Sequence, residues 1–161
     1  MLHPKVADIY KILVYCYSNI CYIKYGLHII SITEAHMMKE GLQWIEEKVV
    51  EESELAINMK SGTLRVFSTP SMIALMEHTS WKCVEQKLES GQTTVGVHVK
   101  TDHLKATLKG KKIKCVSTLK EVHDKKLMFY IEVFEGDTLI GKAEHTRFIV
   151  DTERFLSKLN S

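Results

Sequence analysis

Only one segment of this chain can form a long helix, and nearly everything after it alternates in character, which leaves few ways to build a core. That segment starts at Ser68-Thr69-Pro70. Ser68 or Thr69 can cap the first free N–H groups, and Pro70 stands where a first-turn N–H is dispensable. The pattern predicts a helix from about Pro70 to Leu88. At 3.6 residues per turn Ser71, His78, Lys82 and Glu85 share a polar arc, and Met72, Ile73, Met76, Cys83 and Val84 share an apolar one. Glu77 breaks the pattern. With Ile73 and Trp81 four residues to either side, its carboxylate is expected on the apolar face, where an unpaired charge is costly. Either Glu77 sits at the edge of the stripe and reaches water or a lysine, or it is a site carboxylate.

Around this helix the chain reads as strands. Val49 to Ile57 alternates in its second half, Gly62 marks a turn, and Leu64 to Phe67 is a short run leading into the helix. After Gly91 come Thr93 to Lys100, Ile113 to Val122, Leu127 to Phe134 and Leu139 to Val150, with tight turns at Asp124-Lys125 and Gly136-Asp137. A short helix is expected from about Asp151 to Leu159. A sheet of this size needs one face covered, and one long amphipathic helix is on offer. The expected architecture is α+β, a curved antiparallel sheet wrapped around one long central helix.

Composition narrows the function. A formal charge of +2 gives no electrostatic case for nucleic acid. Nine lysines lie between Lys100 and Lys126 without interleaved aromatic residues, which suits a solvated strand face better than a phosphate-binding patch. Cys16, Cys21, Cys83 and Cys115 form no C-x-x-C pair, and the eight histidines form no H-x-x-x-H helix. The expectations are therefore reduced thiols, a cytoplasmic protein and no metal.

Residues 1–36 read differently, holding five of the six tyrosines and two of the four cysteines. The uncharged run from Ile12 to Ile23 is twelve residues, short of the ~20 that cross a bilayer. No small-x-small cleavage site follows it, as a signal peptide would require. No membrane association is expected. The first 36 residues are taken as a dispensable N-terminal extension, in preference to an integral amphipathic helix, with Met37-Met38 as an alternative start and residues 37–161 as the domain.

Two features besides Glu77 point to chemistry. Gly96 interrupts a strand of β-branched neighbours, which implies a bulge or a close approach. His103 follows just past that strand. A hydroxyl at Thr69, a carboxylate at Glu77 and an imidazole at His103 are the components of nucleophile or water activation.

Thr69-Pro70, Met76-Glu77, Thr94-Val95-Gly96, His103 with Ala106-Thr107, and His145-Thr146-Arg147 followed by Phe148 and Val150 resemble the hotdog-fold acyl-CoA thioesterases, most closely the fluoroacetyl-CoA thioesterase branch. The spacings match as well: eight residues from Thr69 to Glu77, twenty-six from Glu77 to His103 and seven from Gly96 to His103. The resemblance spans roughly Gly41 to Leu159. It implies a hotdog fold and a homodimer that completes its site across the interface. It also implies hydrolysis of a short-chain acyl-CoA or related thioester to the free acid and CoA, with no cofactor beyond the CoA of the substrate. Thr69, Glu77 and His103 are implied to be catalytic, and Gly96 and Arg147 to bind substrate.

The alternative is a non-catalytic acyl-CoA binding or sensing module on the same fold. Retention of all three of Thr69, Glu77 and His103 favours the enzyme. A hydratase is weaker still, since the close Asp and His pair it would need is missing. Deleting residues 1–36 is expected to leave folding and hydrolysis nearly unchanged. A large fall in the melting temperature of the truncated protein would show instead that the segment packs on the core.

Overall fold

The computed structural model describes residues 38–160, and the backbone alone of residues 13–17, 20–25 and 28–31. The chain divides into two units, residues 1–37 and 38–161. In the first, strands β1 (Leu13–Tyr17), β2 (Ile20–Tyr25) and β3 (His28–Ser31) form an antiparallel sheet in the order β1-β2-β3. The remaining residues of the proposed extension lie outside those described.

The second unit runs β4 (Gln43–Val49), a single 3₁₀ turn (Glu52–Glu54), helix α1 (Thr69–Glu85), then β5 (Gln92–His103), β6 (Lys112–His123), β7 (Lys126–Glu135), β8 (Thr138–Asp151) and helix α2 (Thr152–Ser157). Its five strands form one antiparallel sheet in the order β4-β6-β7-β8-β5. Alternation sets the inner face, which carries Ile113, Cys115, Ser117 and Leu119 of β6, and Leu127, Phe129, Ile131 and Val133 of β7. Helix α1 covers that face with Met72, Leu75, Met76, Cys83 and Val84. The two predicted hairpins are present, Asp124 taking φ +51° and Gly136 φ +56° at the turns.

The helix lies close on the sheet because small polar residues line its seam. Thr79 and Ser80 are fully buried and return their hydroxyls to the carbonyls of Leu75 and Met76, at 2.7 and 2.8 Å. Ser80 Oγ also meets Ser117 Oγ at 2.9 Å. Counting these as core turns the buried stripe away from the one expected. Ser71 is buried rather than on a polar arc, Ile73 is only partly covered, and Glu77 falls on the flank.

The first strand differs from the expected one. The ladder to β6 is made by Gln43–Val49, whose Trp44, Ile45 and Val49 are exposed, so its burial does not alternate cleanly. Residues 50–57 instead make a turn between two core anchors, Val50 and Leu55, with Glu51 N–H donating to Glu54 Oε2 at 2.8 Å. The run at Leu64 to Phe67 forms only single bridges, Leu55 to Phe67 and Val66 to Leu108. This lead-in fixes where the helix begins. Phe67 N–H donates to the Thr107 carbonyl at 2.8 Å and Ser68 N–H to the Glu54 carbonyl at 3.0 Å, which pins the helix start beside the segment leaving β5.

Gly141 on β8 tests how close the layers are. A Cβ there would stand 2.3 Å from Met72 Sδ and 3.3 Å from the Asp102 carbonyl oxygen. Met72 is fully buried, so its thioether can yield only by repacking against its neighbours. Gly141→Ala is expected to cost about 1–3 kcal/mol by overpacking, read as a lower denaturation midpoint at unchanged slope. A stability equal to wild type would mean that the helix and sheet are not in contact there.

Candidate active site

The N-terminus of α1 can be accounted for donor by donor. Ser68 is the cap, and its Oγ accepts from Ser71 N–H at 3.1 Å and donates to Ser71 Oγ at 2.7 Å. Pro70 has no N–H, and Met72 N–H already bonds the Ser68 carbonyl at 3.0 Å. That leaves the Thr69 N–H as the first-turn donor to spare. Because Ser68 does the capping, the Thr69 hydroxyl is also released for other use. It lies 2.9 Å from His103 Nδ1.

His103 is the last residue of β5, opposite Gly141 of β8, and its ring meets Phe67 edge-on at 6.4 Å. Burial pushes its pKa below the usual histidine range, against the opposing pull of the Lys105 carbonyl. Its Nε2 is buried without a hydrogen-bond partner. With the proton on Nε2, Nδ1 can accept the Thr69 proton, as hydroxyl or water activation requires. The pair opens on a cleft of about 340 Å³ whose lining includes Ala56, Phe67, Pro70, Lys105 and Ala106.

The other three site residues expected from the sequence gather further down the helix. Glu77 Oε1 lies 3.6 Å from His145 Nε2 and against the Cα of Gly96, where an added Cβ would stand 2.6 Å from it. Arg147 is opposite Gly96 in the β5–β8 ladder, just before the bulge between Gly96 and His98. Its guanidinium is clamped: Nε donates to Thr94 Oγ1 and Nη2 to the Thr94 carbonyl, both at 2.8 Å. Nη1 reaches His145 Nε2 at 3.2 Å and the Glu77 carbonyl at 3.5 Å.

Glu77 does not project into the core as expected. Its side chain is 43% exposed in the single chain, because the buried stripe runs through Thr79 and Ser80 instead. Nor does it touch Thr69 or His103. Eight residues of helix separate it from Thr69, about 12 Å along the axis.

His145 is the residue that the chemical reading of the sequence left without a role. It is 2% exposed, and Nδ1 stands 2.8 Å from the His98 carbonyl, so the proton belongs on Nδ1. Nε2 then receives the Arg147 N–H, and the ring is neutral. Its contact with Glu77 is thus not an ion pair. Burial, aided by the neighbouring Arg147 charge and opposed by the His98 carbonyl, holds its pKa below the usual range. A polar residue on the inner face of a strand was the available signal. The buried thiols of Cys83 and Cys115 are pushed up by burial to about 11 and about 12, which excludes them as nucleophiles at neutral pH.

With both His103 and His145 lowered, the unfolded chain binds more protons than the native one once the pH drops to about 6.5. Their contribution to stability is present above that pH and lost as the pH falls through the folded-state values. The melting temperature should hold near neutrality and decline on acidification below about pH 6.5, less steeply in His145→Asn. A melting temperature that rises over the same interval would contradict the buried, neutral assignment.

The model of the fluoroacetyl-CoA-specific thioesterase family matches residues 50–153, which take in every residue of both groups. The fluoroacetyl-CoA thioesterase of Streptantibioticus cattleyicolor is 30% identical over 97 residues, covering 58% of this chain and 68% of that protein. Among solved structures, the fluoroacetyl-CoA thioesterase FlK superposes with a TM-score of 0.73 at 23% identity, over 77% of this chain and 96% of that one. A thioesterase superfamily member from Thermus thermophilus gives 0.72 at 21%, over 77% and 92%. The five-stranded sheet on one main helix is the hotdog fold these proteins share, and the chain belongs to the fluoroacetyl-CoA-specific thioesterase family.

Proposed function

We propose that this thioesterase hydrolyses a short-chain acyl-CoA to the free acid and CoA, using Thr69, His103 and Glu77. The observation that carries the reading is the Thr69–His103 hydrogen bond, made beside the spare Thr69 N–H and at the wall of a cleft. The thioester carbonyl would point its developing negative charge at that N–H and the positive end of α1. His103 would take the proton from the Thr69 hydroxyl, or from a water held by it, and return it to the departing CoA thiolate. Family membership supports thioester hydrolysis. A volume near the lower end of small-molecule sites, walled by Ala56, Pro70 and Ala106, supports a short acyl group.

Glu77 enters through a second copy of the chain. Strand β5 is twelve residues long, lies at the sheet edge and carries Thr93, Thr94, Val95, Val97, Val99 and Thr101, with Val97 57% exposed. A long β-branched edge of this kind is a template for pairing. Two-fold pairing there sets two α1 helices antiparallel across the seam, which carries the Thr69 end of one toward Glu77 of the other. The partly exposed flank formed by Ile73, Glu77 and Trp81 would be covered in the process. Arg147 and Gly96 then border the site from the Glu77 side.

Thiol release from acyl-CoAs of graded length tests the activity, and no turnover on any of them would favour a binding module. Glu77→Gln and His103→Ala should each lower turnover by about 100-fold or more. Glu77→Gln should hardly move the melting temperature, since the amide keeps the shape and replaces a charge that the seam would cover with a neutral group. Mixing the two variants through unfolding and refolding should restore about a quarter of the wild-type rate, because random pairing gives half heterodimers with one intact site each. Full activity in a monomer by light scattering would sink the shared site, as would mixtures no more active than their parents.

A further inference from the structure

Glycine at position 96 needs an explanation that its backbone does not supply. Its φ lies outside the left-handed region, so an L-residue could adopt the same conformation. It sits on an edge strand, where a β-branched residue like its neighbours would serve the sheet better. What a side chain would meet is Glu77. An ideal Cβ at position 96 would lie 2.6 Å from Glu77 Oε1, 3.1 Å from His145 Cε1 and 3.5 Å from Arg147 Nη1. The carboxylate occupies the space that any other residue would fill.

We infer that Gly96 is a positioning residue: the missing side chain forms a seat for the Glu77 carboxylate against β5, with His145 as its back wall. The inference rests on Glu77 being the working carboxylate, as proposed above. The wall is rigid for reasons already visible. His145 is held at Nδ1 by the His98 carbonyl and at Nε2 by Arg147, and Arg147 is held in turn by two hydrogen bonds to Thr94. Of the three groups around the seat, the end of the Glu77 side chain is the freest to move, being half exposed and held by no hydrogen bond of its own among the described residues. An added methyl therefore displaces the carboxylate outward, asks the His145 ring to give by only a few tenths of an ångström, and meets Arg147 at ordinary contact distance. The missing side chain of Gly96 acts on the reaction through Glu77, whatever its backbone contributes to binding substrate.

A double-mutant cycle of wild type, Gly96→Ala, Glu77→Gln and the double variant separates these roles. It is run on the acyl-CoA that the wild type turns over fastest, with melting temperatures alongside. The Cβ forces a shift of about 1 Å, so kcat should fall by roughly 10- to 100-fold in Gly96→Ala, with KM and melting temperature close to wild type. In the Glu77→Gln background the same methyl should cost less than about 2-fold, because the group it displaces no longer works. An undiminished effect in that background, or one seen chiefly in KM, would make Gly96 a substrate contact and overturn the inference. A wild-type kcat in Gly96→Ala, or a large loss of melting temperature, would overturn it as well. If Glu77→Gln itself leaves turnover unchanged, it is the proposed function that fails.

Discussion

Close apposition of α1 and the sheet governs the rest of the domain. Strands β6 and β7 present a face of Leu, Ile, Val and Phe side chains, and α1 is the long helix laid on it. Contact at this distance depends on what is small. Gly141 makes room for Met72, and Ser80 meets Ser117 where two larger side chains would hold the layers apart. Thr79 and Ser80 can be buried there at little cost because their hydroxyls bond the helix's own carbonyls. The seating of the helix determines which of its residues reach the edge by β5. Both groups of site residues follow from it.

Much of this fold was legible in the chain because its later strands alternate and are divided by short turns. The runs at Ile113 to Val122, Leu127 to Phe134 and Leu139 to Val150 differ from β6, β7 and β8 only at their ends. Strand β4, the first of the second unit, was not legible. Residues 43–49 lie at an edge where Trp44, Ile45 and Val49 stay exposed, so the sequence carries no period to read. The alternation at 51–57 arose from a turn bracketed by Val50 and Leu55. Glu77 was misplaced for a related reason. Sorting helix residues into polar and apolar leaves no category for a hydroxyl that satisfies itself, so Thr79 and Ser80 were not counted as core and the stripe was centred too near Glu77.

At the site, the pairing of Thr69 with His103 was suggested by residue type, but what brings them together is a backbone contact. The Phe67 N–H bond to the Thr107 carbonyl ties the helix lead-in to the segment after β5, and no side chain in the pattern announces it. The division of labour between Ser68 and Thr69 was equally hidden. Either could cap the helix, and had Thr69 done so its hydroxyl would not have been free for His103.

The electrostatics of the second group show why three residues beneath Glu77 have to act together. A guanidinium placed directly against the Glu77 carboxylate would form a closed ion pair, and a carboxylate so neutralised is a poor base. Here Arg147 is turned away by its bonds to Thr94, and the neutral His145 ring stands between part of it and the carboxylate. Arg147 thus places a positive charge near Glu77 without capping the carboxylate oxygens. Burial lowers the pKa of His145, and this keeps the arrangement intact at neutral pH, since a protonated ring would pair with Glu77 and repel Arg147. The carboxylate is left seated against β5 and half open in the single chain.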